Sequence, residues 1–172
     1  KGKEYNNDGK LIYDGEYLYD KKWNGQLFDI KNNEIYEIID GKGKIKEYDY
    51  DNNLISEGEY LNGKIWNGKF QEYYSGKLLF ESEYLNGEKY KGKEYDIFAY
   101  NYILFEGEYS NGNRNGKGKE YDRNGNGTVI FEGEYSNGNR KKGKQYDLSG
   151  HLRFEGEYLN GQRWNGKEKL QN

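Results

Sequence analysis

The sequence predicts an all-β fold, an elongated repeat array of stacked β-hairpins. Three observations carry that prediction. The phrase "FEGEY" or a near copy recurs along the chain, and each copy alternates ring, acid, glycine, acid, ring, which is the two-residue period of a strand. Most copies are followed by Asn-Gly, a hairpin signal because both residues tolerate positive φ. The composition suits a thin sheet: of 172 residues only 33% are hydrophobic, yet 20 are tyrosine and 25 glycine, and no proline interrupts a ladder. Rings bury much area each and tolerate a half-wet surface, so the low apolar content is compatible with order.

Aligned on this phrase, its third residue falls at Gly15, Gly58, Ser82, Gly107, Gly133 and Gly156. The first gap is nearly twice the others, so the diverged stretch "EIYEIIDGKGKIKEYD" (34–49) supplies the missing copy. The later spacings are 24, 25, 26 and 23 residues. Residues 1–172 thus read as one array: a stub at 1–10, then seven units, the second short and irregular. Within a unit the first strand is the "FEGEY" run. Asn-Gly follows at 62–63, 86–87, 111–112, 137–138 and 160–161, and the second unit turns at Asp40-Gly41. The return strand is the alternating "GKGKEYD", and Asn/Asp/Gly-rich stretches such as "DRNGNG" (122–127) lead to the next hairpin. No window has a helical period.

The alternation divides each hairpin into two faces. Phe131, Gly133 and Tyr135 point one way, Glu132 and Glu134 the other; in the return strand Lys117 and Lys119 alternate with Gly116 and Gly118. The glycines read as slots in which a ring lies flat on the backbone. The Glu and Lys rows can pair across strands at about 0.2–1 kcal/mol per pair. A lone hairpin is marginal, so stability comes from stacking on neighbours. Two strands per unit give a rise of roughly 10 Å, and seven units a rod of roughly 65–70 Å.

The pattern Y/F-E-G-E-Y-x-N-G-x-x-x-G-x-G-x-x-Y resembles the MORN repeat, and the resemblance covers essentially the whole chain. It implies one twisted, single antiparallel sheet and a family of non-catalytic modules: scaffolds at membranes and cytoskeletal structures, dimerisation arms and appendages to enzymes. A variant with a longer hairpin loop occurs in bacterial antitoxin- or immunity-like proteins. The chain departs from the pattern at Ser82, in loops one residue longer ("NGKIWNG" against "NGNRNG") and in the second unit, which lacks Asn-Gly. These departures bear on register, not architecture.

Little points to chemistry, and the expectation is a chain that is not an enzyme and holds no cofactor or metal. His151 is the single histidine and sits in a turn phrase, "DLSGHLRF". Nearby Ser149 gives no triad geometry by adjacency alone. "DRNGNG" imitates a calcium loop, but position twelve is Gly133 where a glutamate is needed, and "DYDNN" (49–53) has Leu54 where glycine is needed. Both read as turns. Asn126-Gly127-Thr128 matches a glycosylation sequon, a short match that arises by chance. The absence of cysteine excludes disulfides and thiolate metal sites. No apolar run is long enough to span a membrane or to form a signal peptide. The chain begins inside the phrase ("KGKEY") and so reads as a piece of something longer or processed.

The candidate partner contacts lie at the hairpin loops. Trp23, Trp66, Tyr90 and Trp164 occupy one place, just before "NG" or "KG"; Arg114, Arg140 and Arg163 lie beside it. Stacked hairpins would align them along an edge, as an exposed aromatic row for a protein partner. The competing expectation is that each ring folds over its own sheet. Charge is uneven: residues 28–60 hold nine acids and four lysines, net −5, and residues 111–145 hold eight basic residues and four acids, net +4. The basic stretch suits anionic lipid; overall net −3 and pI near 5.4 argue against nucleic acid.

The sequence therefore supports a repeat scaffold or protein-interaction module, self-associating or bound to a protein partner, in the cytoplasm or at a membrane or cytoskeletal structure. The alternatives are an immunity- or antitoxin-like protein with one toxin partner, and a membrane-surface binder of anionic lipid. A glycan-binding repeat would want paired aromatics in every unit, which units five and six lack. The elongated array has a direct test in solution scattering: the radius of gyration should lie well above the roughly 16 Å of a compact chain of this length. A near-spherical profile would refute it.

Overall fold

A computed structural model describes residues 1–98, 102–124 and 127–169. A lone strand β1 (Gly2–Tyr5) precedes seven hairpins. In chain order these are β2 (Leu11–Leu18) with β3 (Lys21–Asp29), β4 (Glu34–Ile38) with β5 (Gly43–Tyr48), and β6 (Leu54–Leu61) with β7 (Lys64–Tyr74). There follow β8 (Lys77–Leu85) with β9 (Glu88–Asp96), β10 (Tyr102–Ser110) with β11 (Asn113–Tyr121), β12 (Val129–Ser136) with β13 (Asn139–Tyr146), and β14 (Leu152–Leu159) with β15 (Gln162–Glu168). The strands are antiparallel and lie side by side in chain order, as a four-stranded sheet β1–β4 and an open eleven-stranded sheet β5–β15. Among the described residues no helix is long and apolar enough to cross a membrane. The chain packs as two compact units, Lys1–Gly76 with Glu81–Glu88, and Lys77–Phe80 with Lys89–Asn172.

Turn chemistry fixes the hairpins. At every expected Asn-Gly, from Asn62-Gly63 (φ 54° and 66°) to Asn160-Gly161 (51° and 77°), both central residues are left-handed, the type I′ geometry whose twist matches the strands. Asp40-Gly41 turns the second hairpin in the same way (50° and 70°). Tyr19-Asp20 does so with no glycine (49° and 60°), a hairpin that carries no turn signal in its sequence.

In the second unit the glycines form the expected slots. Gly107 faces Gly118, Gly133 faces Gly143 and Gly156 faces Gly166 across their hairpins. A Cβ placed on Gly107 would stand 2.7 Å from Phe105 Cζ, and one on Gly156 2.7 Å from Phe154 Cζ. Each phenylalanine thus lies along its own strand over a floor of two glycine backbones. The rings then meet edge to face in an unbroken zigzag. Phe80 touches Tyr109 (centroids 5.6 Å apart), Tyr109 touches Phe105 (5.8 Å), Phe105 touches Tyr135 (5.2 Å), and Tyr135 touches Phe131 (5.5 Å). Phe131 touches Tyr158 (5.4 Å), which touches Phe154 (5.4 Å). These seven rings are the core of the second unit. Each such contact adds about 0.5–1.5 kcal/mol beyond the area it buries.

The first unit uses the slot once. Tyr13 lies over Gly15 and Gly25 and donates its hydroxyl to the Glu16 carbonyl at 2.8 Å. Elsewhere the phrase lapses. Ile38 faces Gly25 and Ile45 faces Gly58, where other hairpins set glycine against glycine. Both isoleucines are buried and pack with Tyr13 and Leu27. They fill the space a glycine pair leaves for a ring, and the ladder is interrupted there: β4 and β5 meet through a single bridge, Ile39 to Lys42. The continuous ladder expected from the repeat is therefore two sheets, and the break falls inside the irregular second copy, between β4 and β5. Ser56 stands where the ring belongs in the third copy and bonds the Tyr60 hydroxyl at 2.6 Å.

The slot makes a mutational contrast. Gly133→Val should cost about 1–3 kcal/mol or more, because its side chain meets the Phe131 ring and the Gly143 backbone together. Ser82→Gly forfeits the bond to the Phe70 carbonyl (3.2 Å) and a side-chain bond with Tyr84, but crowds nothing, and should cost no more than about 1.5 kcal/mol. Urea unfolding of both variants checks this; a parent-like Gly133→Val would refute the slot.

Candidate functional site

The "KEYD" phrase, at 46–49, 93–96 and 119–122, ends three return strands with a carboxylate whose direction follows from strand parity. Gly118 faces the rings, Lys119 faces water, and Glu120 therefore returns to the ring side. There it accepts the Tyr135 hydroxyl at 2.8 Å and the Arg140 guanidinium through Nε at 3.0 Å and through Nη2. Glu94 holds Tyr109 (2.6 Å) and Arg114 (2.9 and 2.5 Å) in the same arrangement. Gln145 takes the acceptor's place for Tyr158 (3.3 Å) and Arg163 (3.0 Å). The guanidinium carbons of Arg114, Arg140 and Arg163 sit over the Phe105, Phe131 and Phe154 rings at 4.0, 4.4 and 5.1 Å. Each ring is thus held between glycine backbone and a cation that the preceding return strand anchors.

This geometry sets the electrostatics. Burial alone would raise the Glu94 and Glu120 carboxyls, but the hydrogen bonds from Arg114 and Tyr109, and from Arg140 and Tyr135, outweigh it and hold both below the ordinary 4.5. Burial and the adjacent carboxylates push the Tyr109 and Tyr135 hydroxyls well above the ordinary 10.

In the first unit the same node is assembled across the interrupted ladder. Ile65 occupies the arginine position opposite Tyr60, so Glu47 and Tyr60 have no cation of their own hairpin. Lys22 supplies it from β3, bonding Glu47 and lying 3.0 Å from Glu4. Burial would lower the Lys22 pKa; the two carboxylates raise it. The small cleft beside it, about 240 Å³, is lined by Glu4, Glu47, Tyr17 and Tyr60. Its Lys22, Glu4 and Glu47 are already paired with one another.

The candidate contact residues divide accordingly. Arg114 and Arg140 are engaged within their own chain, with side chains only 26% and 20% exposed. Arg163 is more open and also reaches Glu168 at 3.0 Å. The aromatic row has a different origin. Tyr17 faces Lys22 and Glu16 faces Asn24, so Trp23 is the extra residue of a β-bulge; Trp66 and Trp164 are bulged likewise. The bulge stitches one hairpin to the next. The Trp23 carbonyl accepts the Gly41 N–H (2.9 Å) and that of Trp66 the Gly87 N–H (2.8 Å), each from the following turn. The following asparagine seconds it: Asn24 Oδ1 takes the Asp40 N–H and Asn67 Oδ1 the Asn86 N–H, at 2.7 and 2.8 Å. Trp23 and Trp66 then lie on the turn glycines Gly41 and Gly87. These rings neither fold over their own sheet nor stand free. Tyr90 is half-buried, and Trp164, with no following turn among the described residues, is 70% exposed.

The remaining candidates are turn formers. Asp147 accepts the Ser149 and His151 N–H groups at 3.0 and 2.9 Å, and Asp49 those of Asp51 and Asn53 at 2.9 and 2.8 Å. Asn126, on which the calcium-like phrase and the sequon both turn, lies outside the described residues. The basic stretch of 111–145 is interleaved with acids: Lys117 and Lys119 face Glu134 and Glu132, and Lys142 and Lys144 also face Glu157 and Glu155. What sequence reasoning missed is the Glu94 and Glu120 nodes, read as lysine partners; the parity of "GKE" was the signal for them. It also missed the residue after each phrase tyrosine. Leu18 and Leu85 are 38% and 52% exposed beside their turns, and Leu61 is half-buried there.

The fold and these nodes define an all-β array of ring-over-glycine hairpins. No family model matches the chain, and no curated protein matches it.

The nodes and the stitches can each be tested by substitution. Carboxylates held below their ordinary pKa stabilise the fold above about pH 4.5 and lose that contribution as pH falls through the folded-state value. Unfolding free energy should therefore drop steeply below about pH 4.5, and Glu94→Gln with Glu120→Gln should flatten that slope while costing about 1.5–3 kcal/mol per site at neutral pH. Urea titrations between pH 3 and 7 measure both; an unchanged slope would count against the nodes. For the stitches, Trp66→Ala should cost about 1–2 kcal/mol, whereas Trp164→Ala should stay within about 0.5 kcal/mol of the parent. Equal melts for the two variants would remove the stitch.

Proposed function

We propose that the chain is a non-catalytic repeat scaffold, a protein-interaction module that offers an extended β surface, as the resemblance to the MORN repeat implies. One observation carries the reading. The ring-side charges of the regular units are matched to one another in structural nodes, while apolar side chains recur exposed on the opposite face at the hairpin tips: Leu18 and Leu85 in the first unit, Leu159 in the second. Tip leucines add nothing to the ring core, and exposed apolar residues set among paired charges suit a protein contact.

The test compares the parent with a Leu18→Ser, Leu61→Ser, Leu85→Ser variant. The variant should melt within a few degrees of the parent and lose the protein that the parent captures from its native source. Capture of the same protein by both, or none by either, would refute the reading.

A further inference from the structure

Asn-Gly does more than turn a chain: it is open to a covalent reaction. The glycine backbone nitrogen, on losing its proton, attacks the asparagine side-chain carbonyl carbon. The Cγ–Nδ2 bond breaks, ammonia leaves and a cyclic succinimide closes. Water then opens the ring at either carbonyl, giving aspartate or isoaspartate, and the isoaspartate backbone is longer by a methylene. Glycine favours the attack because no Cβ crowds the approach, and asparagine is thermolabile for this reason. The chain places the dipeptide at five hairpin turns, Asn62-Gly63, Asn86-Gly87, Asn111-Gly112, Asn137-Gly138 and Asn160-Gly161. The fold does not treat them alike.

Three of the attacking nitrogens are tied to the previous hairpin. The Gly63 N–H donates to the Gly41 carbonyl at 2.8 Å, Gly87 to that of Trp66 at 2.8 Å and Gly138 to that of Arg114 at 2.9 Å. Such a nitrogen neither releases its proton nor swings toward Cγ until that bond opens. Among the described residues the Gly112 and Gly161 amides have no such acceptor. Both turns also have room. A Cβ placed on Gly112 would meet nothing within 4 Å, and one on Gly161 only Asn139 Oδ1 at 3.6 Å. One on Gly63 would stand 2.8 Å from Lys21 Cβ, and one on Gly87 3.0 Å from the Trp66 ring. Asn111 and Asn160 are exposed. The bulge asparagines are engaged instead: Asn24 donates to Glu16 and Asn67 to Glu59, and their glycines lie within the ladder opposite Gly15 and Gly58.

We propose that Asn111 and Asn160 are sites of spontaneous deamidation, converted by water to aspartate and isoaspartate ahead of the stitched turns. The aspartate product keeps its hairpin, because Asp-Gly forms the same type I′ turn. The isoaspartate product does not, because a two-residue turn has no place for an added backbone methylene. Ser110 and Asn113, which face each other across the turn, then leave their register. Either product puts a negative charge on a tip built of Ser110, Asn111, Gly112 and Asn113, which has none. The bond that attaches a turn to its neighbour thus also sets the turn's chemical lifetime. Asn62 and Asn86, beside the apolar Leu61 and Leu85, are on the protected side of this division.

The sequence supplies its own control. Residues 105–114 and 131–140 are the same ten letters, FEGEYSNGNR, so Asn111 and Asn137 have identical flanks and differ in the amide bond. The intact chain is incubated in mildly alkaline buffer, and digests are mapped by mass spectrometry with aspartate and isoaspartate separated. Asn111 and Asn160 should convert about fivefold or more faster than Asn62, Asn86 and Asn137, the factor that one hydrogen bond is worth. In concentrated urea Asn111 and Asn137 should convert at the same rate. Asn137 keeping pace with Asn111 in the folded chain, a stitched turn converting first, or a difference between the two that persists in urea would overturn the proposal.

Discussion

A ring laid flat on two glycine backbones is the contact on which the rest of the second unit depends. Phe131 can lie along its strand because neither Gly133 nor Gly143 carries a Cβ, and any side chain there would occupy the ring's own volume. Once the ring lies down, its edge is presented to the tyrosines of its own hairpin and the next, at 5.5 and 5.4 Å. Its upper face is then open to a cation, and Arg140 covers it. A cation in that half-buried place needs an anion, which Glu120 provides from the preceding return strand. Glycine, ring, arginine and glutamate are thus one device, and it spans two hairpins, so no hairpin is complete by itself.

In the first unit members of the device are exchanged, and the packing changes with them. Ile38 and Ile45 stand in slot positions and pack with Leu27 and Tyr13, and the ladder divides between β4 and β5. With Ile65 in the arginine position the Glu47 carboxylate takes Lys22 from the neighbouring sheet instead. The break in the ladder is bridged by a charge that the regular repeat would have kept within its own sheet, and the Asn6 and Asn7 side chains add bonds to Asn52 and Asp51.

Much of this was legible in the sequence because it is local. Asn-Gly fixes a turn through the φ tolerance of two residues, and alternation assigns faces by counting; hence the seven hairpins, six of their turns and the Phe131–Gly133 slot could be read directly. The nodes were not, because Glu120 looks like its lysine-facing neighbours unless its parity is followed, and because its partners lie 15 and 20 residues further on. Tyr19-Asp20 escaped notice since it lacks the glycine that marks the other hairpin turns and tyrosine gives no signal, although aspartate tolerates a left-handed φ. The aromatic row was legible as a row but not as bulges, since a bulge is a relation between two strands.

The stitch gives the tryptophan row its meaning. A bulge turns one carbonyl out of its own ladder, and in an isolated hairpin that group would face water. Here it is met by the glycine N–H of the next turn, and the following asparagine adds a second bond beside it. Backbone groups that a hairpin cannot satisfy internally thereby become the means of its attachment to the next. The wet face is self-matched, glutamate against lysine, and owes its interest to the apolar tips.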